Sequence, residues 1–186
     1  MEILFETHAT SLDNEAGLAS GHFDVDLSER GVRQAATLGE RRRADHVEMV
    51  YVSHLRRSWR TAEIAFGVTA VPIVRDARLA ECHYGEMTRR PAAEMAATRD
   101  RFVTTRYPGG ESYEDVAARV ASWLADVRSR HRGRILVVGH RGTHFALDHL
   151  LRGIPLADAV RSPLVWQPGW IYKVTSEAAP QTRKLR

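Results

Sequence analysis

Three short apolar runs, each followed directly by polar residues or glycine, constrain the fold of this chain most strongly. They are residues 3–5 (ILF), 47–52 (VEMVYV) and 135–138 (ILVV). Short apolar runs bounded by such residues predict strands. The continuous run at 135–138 is typical of a central strand in a parallel sheet, which is buried on both faces.

Segments with helical periodicity alternate with these strands. Ser28 and Ser112 are suitable N-caps, because a serine hydroxyl can accept a hydrogen bond from the first turn of a helix. The predicted helices cover residues 29–44, 55–66, 92–106, 113–131 and 143–151. A further short strand is predicted at 71–74, and a final strand or hairpin at 164–174. The alternation predicts an α/β fold, a three-layer α/β/α sandwich with a mostly parallel sheet.

Polar residues at the ends of the strands mark the candidate site. His8, Ser53 and His140 each follow an apolar run. Ligands of α/β proteins bind outside the carboxyl ends of the parallel strands, and these ends meet at one edge of the sheet. We therefore expect the three side chains to share a pocket.

Length and composition fit one globular domain over residues 1–186, with a flexible tail at 176–186. Apolar residues make up 44% of the chain and charged residues 27%, which is ordinary for a globular protein. No apolar run approaches the ~20 residues of a membrane span. Cys82 is the only cysteine, and the N-terminal segment does not resemble a secretory signal. The expected location is therefore the cytoplasm, with no membrane partner.

The formal net charge of +4 comes almost entirely from arginine, since Lys173 and Lys184 are the only lysines. Arginine is well suited to bidentate contacts with phosphate. The basic residues are interspersed with acidic ones, so no nucleic-acid partner is expected. Net charge alone indicates only non-specific attraction.

Six segments, in order, resemble motifs of the histidine phosphatase superfamily, which has the phosphoglycerate mutase-like fold. They are residues 7–11 (THATS) with Asn14, 26–35 (DLSERGVRQA), 53–62 (SHLRRSWRTA), 79–86 (LAECHYGE), 107–112 (YPGGES) and 137–140 (VVGH). Each motif is weak by itself. Their order and spacing over residues 1–151 make the resemblance specific.

The resemblance implies a phosphoryl-transfer site with no metal and no cofactor. His8 would attack phosphorus and form a phosphohistidine. Glu81, or Glu86 as the alternative, would protonate the leaving oxygen and then activate water, while Arg57 and His140 would bind the equatorial oxygens. The chemistry requires these residue types because the transferring phosphoryl group spreads negative charge over three oxygens. A neutral imidazole is also a competent nucleophile near pH 7.

Two positions depart from the family pattern. Thr7 stands where the family has arginine, and Arg141 follows His140 where the family has a small residue. Removing one transition-state donor typically costs about 100- to 1,000-fold in rate. One hypothesis is that Arg141 supplies the missing guanidinium. The alternative is that Arg141 lies on the surface.

Further candidates for substrate binding flank these motifs. Ser11 and Asn14 are expected at the mouth of the pocket. His144, one helical turn after His140, and His83, near Glu81, are the others. The aromatic residues of the last predicted strand, Trp166, Trp170 and Tyr172, are expected to form its apolar face, with a substrate wall as the alternative.

The sequence therefore predicts a metal-independent phosphatase that acts on a small phosphorylated metabolite through a phosphohistidine on His8. A catalytically altered family member is the alternative from another class, because the motif arginine is missing. A phosphoglycerate-type mutase is the third functional hypothesis. A homodimer is compatible with the sequence, which does not define the oligomeric state or the substrate.

Overall fold

The computed structural model describes residues 1–163 and 167–174. Within them the strands are β1 (Glu2–Thr7), β2 (Met49–Val52), β3 (Ile73–Arg75), β4 (Arg134–Gly139) and β5 (Trp170–Lys173). They form one sheet in the order β3-β2-β4-β1-β5. The first four strands are parallel, and β5 pairs antiparallel with β1. Strand β4 is central, as its continuous apolar sequence predicts.

The helices cover both faces of this sheet. They are α1 (Leu12–Glu15), α2 (Glu29–Arg42), α3 (Arg56–Phe66), α4 (Ala92–Thr98), α5 (Tyr113–Arg130), α6 (Arg141–Arg152) and α7 (Leu156–Arg161). Core side chains of α2 and α3 pack with Leu4 on one face, and those of α5 and α6 pack with Ile3 and Phe5 on the other. The predicted three-layer α/β/α sandwich is confirmed. Because side chains alternate along a strand, Thr7 points to the same face as Ile3 and Phe5.

Local sequence determines where the two longest helices begin. The Ser28 hydroxyl accepts a hydrogen bond from the backbone N–H of Gly31 at 3.2 Å. Ser112 forms a capping box, in which its hydroxyl accepts from Asp115 N–H and its own N–H donates to the Asp115 carboxylate. Both predicted N-caps are therefore confirmed. A serine cap of this kind contributes about 1 kcal/mol.

The structure differs from the sequence prediction mainly between the acid loop and α5. The helix predicted over 92–106 ends at Thr98 and continues as a 3₁₀ turn over Arg99–Phe102. Packing ends it, because the ring of Phe102 stacks on that of Tyr107 with centroids 3.8 Å apart, and the Arg99 side chain is held by backbone carbonyls at the end of α7. Helices α1 and α7 were not predicted.

The last predicted strand is shorter than expected, since β5 covers only Trp170–Lys173. Trp170 and Tyr172 are buried in the core, so their assignment to the apolar face of this element is confirmed. Trp166 and the predicted tail at 176–186 lie outside the described residues.

Candidate active site

A cavity of about 290 Å³ lies at the carboxyl ends of β1 and β4. Four residues expected to act together line it: His8 after β1, Arg57 in the first turn of α3, Glu81 in the loop after β3, and His140 after β4. The convergence of strand ends thus brings together side chains that are up to 132 positions apart in sequence.

The backbone around His8 is fixed from two sides. The N–H of His8 donates to the carbonyl of Gly139 at 2.9 Å, which extends the β1–β4 ladder by one residue. The next N–H, that of Ala9, donates to the Thr61 hydroxyl on α3 at 3.0 Å. His8 therefore follows a rigid strand directly, which suits a residue that must hold one geometry during a reaction.

One ring nitrogen of His8 forms a hydrogen bond with the backbone of the next residue. Nδ1–H donates to the carbonyl of Ala9 at 2.8 Å. Because a carbonyl only accepts, this bond places the proton on Nδ1 and leaves the lone pair on Nε2. Burial, with a smaller effect from the Arg57 guanidinium, lowers the pKa of His8 to about 3. The imidazole is therefore neutral at physiological pH, with Nε2 as its nucleophilic atom.

His140 is fully buried beside His8, with ring centroids 5.1 Å apart. Burial, followed by the charge of Arg57, holds its pKa well below the usual range. Nε2 lies 2.7 Å from the Ser53 hydroxyl, which also accepts from the N–H of Leu55. Nδ1 has no hydrogen-bond partner in the described structure. If the hydroxyl donates to Nε2, Nδ1 carries the proton and is a donor without an acceptor, which an anion would satisfy.

Arg57 brings a positive charge into this cavity without a carboxylate partner among the described residues. The side chain is only 2% exposed, and its two terminal nitrogens donate to the carbonyls of Gly21 (2.7 Å) and Phe23 (3.1 Å). Burial lowers its pKa, with Glu81 acting in the opposite direction. Buried charges are normally paired, so this arrangement favours the entry of an anion.

The carboxyl group of Glu81 is hydrogen-bonded to the N-terminus of α6. Oε1 accepts from the N–H groups of Cys82 (2.8 Å) and Gly142 (2.9 Å), and Oε2 accepts from Arg141 N–H at 3.2 Å. The positive end of the helix dipole favours an acidic group there. A Cβ atom at Gly142 would lie 2.6 Å from Oε1, so the glycine is needed for this contact.

Three of the predicted binding residues also line the cavity: Thr7, Asn14 and Arg141. The Asn14 side-chain oxygen accepts from Ser11 N–H at 3.0 Å, which leaves the amide N–H₂ for other partners. Arg141 is half-buried, and its Nε has no partner in the described part of the chain. Arg141 therefore lies in the wall of the cavity, and its replacement of the missing motif guanidinium stays a prediction.

The other predicted binding residues lie outside the cavity lining. Ser11 is buried and serves as the N-cap of α1. His83 packs edge-on against His22, and its Nδ1 accepts from Gly85 N–H. His144 lies under β1, with its ring 5.3 Å from Phe5 and 4.4 Å from Trp170. One turn along α6 leads away from the sheet edge and into the core, so the expected substrate contact of His144 is not supported. Glu86 is exposed and does not line the cavity.

The opposite wall of the cavity had no motif that could reveal it. It is formed by α4 and the following turn, which contribute Met95 and Arg99, together with Tyr84 and Tyr113. The sequence gives only a negative signal: residues 80–106 and the aromatic C-terminal segment carry the least motif information, which makes them the expected location of substrate specificity. Arg99 itself was assigned to a helix interior with no role.

A backbone-bonded strip, here called the roof strip, joins residues 17–19 to residues 89–92 above the cavity. Ala19 N–H donates to Arg90 O (2.9 Å), Arg89 N–H to Ala19 O (2.8 Å) and Ala92 N–H to Gly17 O (2.8 Å). Arg89 has a φ of +63°, and its guanidinium lies 3.1 Å from the Asp13 carboxylate. The roof strip connects the loop after α1 to the start of α4.

Across residues 1–163 and 167–174, no group of three or more His, Cys, Asp or Glu side chains is arranged to hold a metal ion. In the same part of the chain, no helix combines the length and the hydrophobicity needed to cross a membrane.

Comparison with known proteins assigns the chain to a family. The sequence profile of the histidine phosphatase superfamily (branch 1) matches residues 3–181. A Hydrogenobacter thermophilus protein named "Putative phosphoserine phosphatase 2" is 36% identical over 157 residues, which are 80% of this chain and 77% of that protein. Other relatives are named phosphoglycerate mutases.

Solved structures agree with these similarities. The mycobacterial glucosyl-3-phosphoglycerate phosphatase in complex with VO3 superposes with a TM-score of 0.77 at 26% identity, over 86% of this chain and 85% of that one. Bacillus stearothermophilus YhfR superposes with a TM-score of 0.81 at 25% identity, over 94% and 92% of the two chains.

The chain belongs to the histidine phosphatase superfamily. The family match and the phosphatase relatives together support its assignment as a phosphoric monoester hydrolase.

Proposed function

We propose that this protein hydrolyses a small phosphorylated metabolite through a phosphohistidine on His8, without a metal ion or other cofactor. The observation that carries the proposal is the state of His8 in the cavity. Its Nδ1–H is committed to a backbone carbonyl and its pKa is lowered to about 3. A neutral ring with a free Nε2 lone pair, next to the unpaired Arg57, suits attack on phosphorus.

In the first step, Nε2 of His8 forms a bond to phosphorus as the bond from phosphorus to the leaving oxygen breaks. The leaving oxygen takes a proton from Glu81. Oε2 is suited to carry that proton because it has one long backbone contact, at 3.2 Å, whereas Oε1 has two shorter ones. Arg57 and Nδ1–H of His140 stabilise the charge on the equatorial oxygens.

In the second step, water attacks phosphorus and the bond between phosphorus and Nε2 breaks, with its electron pair returning to the ring. The water proton passes to Glu81, which restores the acid, and inorganic phosphate leaves. Lining side chains around the transferred group, including Thr7 and Asn14, would orient the phosphoryl oxygens and the water.

The direct test is phosphate release from p-nitrophenyl phosphate and a panel of metabolite phosphates, between about pH 5 and 8 in the presence of EDTA. We expect turnover by the wild-type protein, its loss in His8→Ala, and a phosphoenzyme that is stable to base and labile to acid. Turnover that requires an added metal, or that survives in His8→Ala, would contradict the mechanism.

The same panel separates the alternatives. No turnover on any phosphomonoester would favour a catalytically altered family member, a reading motivated by Thr7 in place of the motif arginine. Interconversion of 3- and 2-phosphoglycerate without net phosphate release would favour a mutase, the activity in the names of some relatives.

A further inference from the structure

The cavity contains a second pair of cationic side chains that the phosphoryl mechanism does not use. Arg141 begins α6, immediately after His140, and Arg99 begins the 3₁₀ turn after α4. Both line the cavity. Their guanidinium carbons lie 5.7 Å and 5.4 Å, respectively, from the ring centre of Phe145.

Neither of these guanidinium groups is neutralised by a carboxylate in the described part of the chain. Arg99, only 7% exposed, donates from Nε and Nη2 to the carbonyls of Val160, Arg161 and Ser162 at the end of α7, which leaves Nη1 without a protein partner there. Among residues 1–163 and 167–174, Arg141 makes no side-chain hydrogen bond, and its buried Nε has no partner.

Arginines away from the cavity behave differently. The Arg42 guanidinium donates to the Glu6 carboxylate at 2.7 Å, and that of Arg119 donates to Glu111 at 3.0 Å. The protein thus pairs its partly buried arginines with carboxylates where no ligand is expected. The two guanidinium groups repel, since Arg99 disfavours the charged form of Arg141, and contact with the Phe145 ring offsets only about 0.5–2 kcal/mol for each. An anion placed between them would remove that cost.

The cationic side chains are anchored at two different places around the cavity. Carbonyls of the loop at 21–23 hold Arg57, and carbonyls at the end of α7 hold Arg99. Burial and the charge of Arg99 lower the pKa of Arg141, while Glu81 raises it. Burial also lowers the pKa of Arg57 and Glu81 again acts to raise it, so the Glu81 carboxyl group acts on both places.

We infer that Arg99 and Arg141 form a subsite for a second anionic group of the substrate, a carboxylate, so that the enzyme acts on small phosphomonoesters of carboxylic acids. This inference rests on the proposed function. A planar guanidinium fork matches a carboxylate. A phosphoryl dianion with one carboxylate carries three negative charges, which equals the positive charge of Arg57, Arg99 and Arg141. The cavity of about 290 Å³ is near the lower limit for ligand pockets, which restricts the substrate to a few carbon atoms.

The test measures equilibrium binding by calorimetry to the full chain carrying His8→Ala, so that turnover does not interfere. The ligands are 3-phosphoglycerate and glycerol 3-phosphate, which differ in whether a carboxylate stands at the far carbon. Hydrogen bonds to charged groups predict about 10- to 100-fold tighter binding of 3-phosphoglycerate. Adding Arg99→Gln or Arg141→Gln should reduce that ratio to nearly 1. The matched control is Arg101→Gln, which replaces an exposed arginine of the same 3₁₀ turn that does not line the cavity.

Arg99 also holds the end of α7, so the thermal midpoint of each variant is measured, and Arg141→Gln serves as the test if Arg99→Gln does not fold. Equal affinities for the two ligands, or no binding of either, would overturn the inference. Equal weakening of both ligands by Arg141→Gln would also overturn it, because Arg141 would then contact the phosphoryl group. Tighter binding of 3-phosphoglycerate, with no phosphate release by the wild-type protein from any phosphomonoester of the panel, would support the subsite and reject the proposed hydrolysis.

Discussion

The Ser53 hydroxyl lies 2.7 Å from Nε2 of His140, and both residues are completely buried. Ser53 follows β2 and His140 follows β4, so two adjacent strands fix the second histidine of the site. The contact occupies the ring nitrogen that faces the protein and leaves Nδ1 for an anion. The tautomer of His140 is therefore expected to depend on one serine hydroxyl.

Ser53→Ala should lower kcat for p-nitrophenyl phosphate by about 10- to 100-fold, because His140 would no longer be held with its proton on Nδ1. The free energy of unfolding should fall by about 1–3 kcal/mol, since Nε2 is left buried without a partner. Ser112→Ala is the matched control: its buried hydroxyl accepts from Asp115 N–H at the start of α5 and touches neither Ser53 nor His140. Equal losses of kcat in the two variants would contradict this role of Ser53.

Gly142→Ala should impair protonation of the leaving group. The added Cβ would lie 2.6 Å from Glu81 Oε1, which forces the carboxyl group off the N-terminus of α6. We expect kcat/KM for an alkyl phosphate to fall at least about 10-fold more than for p-nitrophenyl phosphate, whose leaving group needs no proton. The measurement compares the two substrates in each variant.

Glu81→Gln should show the same dependence on the leaving group as Gly142→Ala, because it removes the proton itself. Glu86→Gln is its matched control, since Glu86 lies in the same loop but is exposed. If Glu86→Gln reproduces the pattern and Glu81→Gln does not, the acid has been assigned to the wrong residue.

The lowered pKa of His8 makes stability depend on pH. The unfolded chain, with a histidine pKa near 6.5, takes up a proton that the folded protein does not accept until about pH 3. Stability contributed by the neutral ring is therefore present above pH 6.5 and is lost as the pH falls from 6.5 towards 3, by at most about 1.4 kcal/mol per pH unit. Urea unfolding of His8→Gln between about pH 7 and 5 should show a smaller slope than wild type. His54→Gln, at an exposed position, is the control, and a slope unchanged by His8→Gln would contradict the assignment.

Thr7→Arg should increase activity. Thr7 lines the cavity on the face of β1 that carries Ile3 and Phe5, and the guanidinium of Arg57, after burial, contributes to lowering the pKa of His8. A second donor at the phosphoryl group should raise kcat/KM for p-nitrophenyl phosphate by about 10- to 100-fold. Thr105→Arg, at an exposed position that does not line the cavity, controls for the added charge. A decrease in Thr7→Arg would indicate that the phosphoryl end of the cavity has no space for the side chain.

Features set by local periodicity and by strand ends could be predicted from the sequence. The alternation of apolar runs and helical segments predicted the layers, the central position of β4 and the two serine caps. The positions of His8 and His140 directly after strands were enough to place them in one cavity. Such features depend on short-range rules or on the general geometry of parallel sheets.

The remaining features depend on tertiary contacts that no local pattern encodes. Arg99 lies in the interior of the helix predicted over 92–106, so the sequence gives it no role. The actual end of that helix is determined by tertiary contacts, namely the stacking of Phe102 on Tyr107 and the carbonyls at the end of α7 that bind Arg99. The sequence predicts a substrate contact for His144 because it follows His140 by one helical turn. The direction of α6 relative to the sheet instead places the His144 ring in the core. Spacing along one helix does not determine which neighbouring element the side chain meets.

The roof strip has a consequence for how this enzyme can diversify. Its two segments are joined by main-chain N–H and carbonyl groups at Gly17, Ala19, Arg89, Arg90 and Ala92. Main-chain bonds leave the side chains at Ala19, Arg90 and Ala92 free to change, whereas the positive φ angles of Gly17 and Arg89 restrict the residue type at those two positions. Substitutions can therefore accumulate in the wall above the cavity while the sheet, the two histidines and the hydrogen bonds of Glu81 are kept. Substrate specificity can change there without any change in the catalytic residues at the carboxyl ends of the strands.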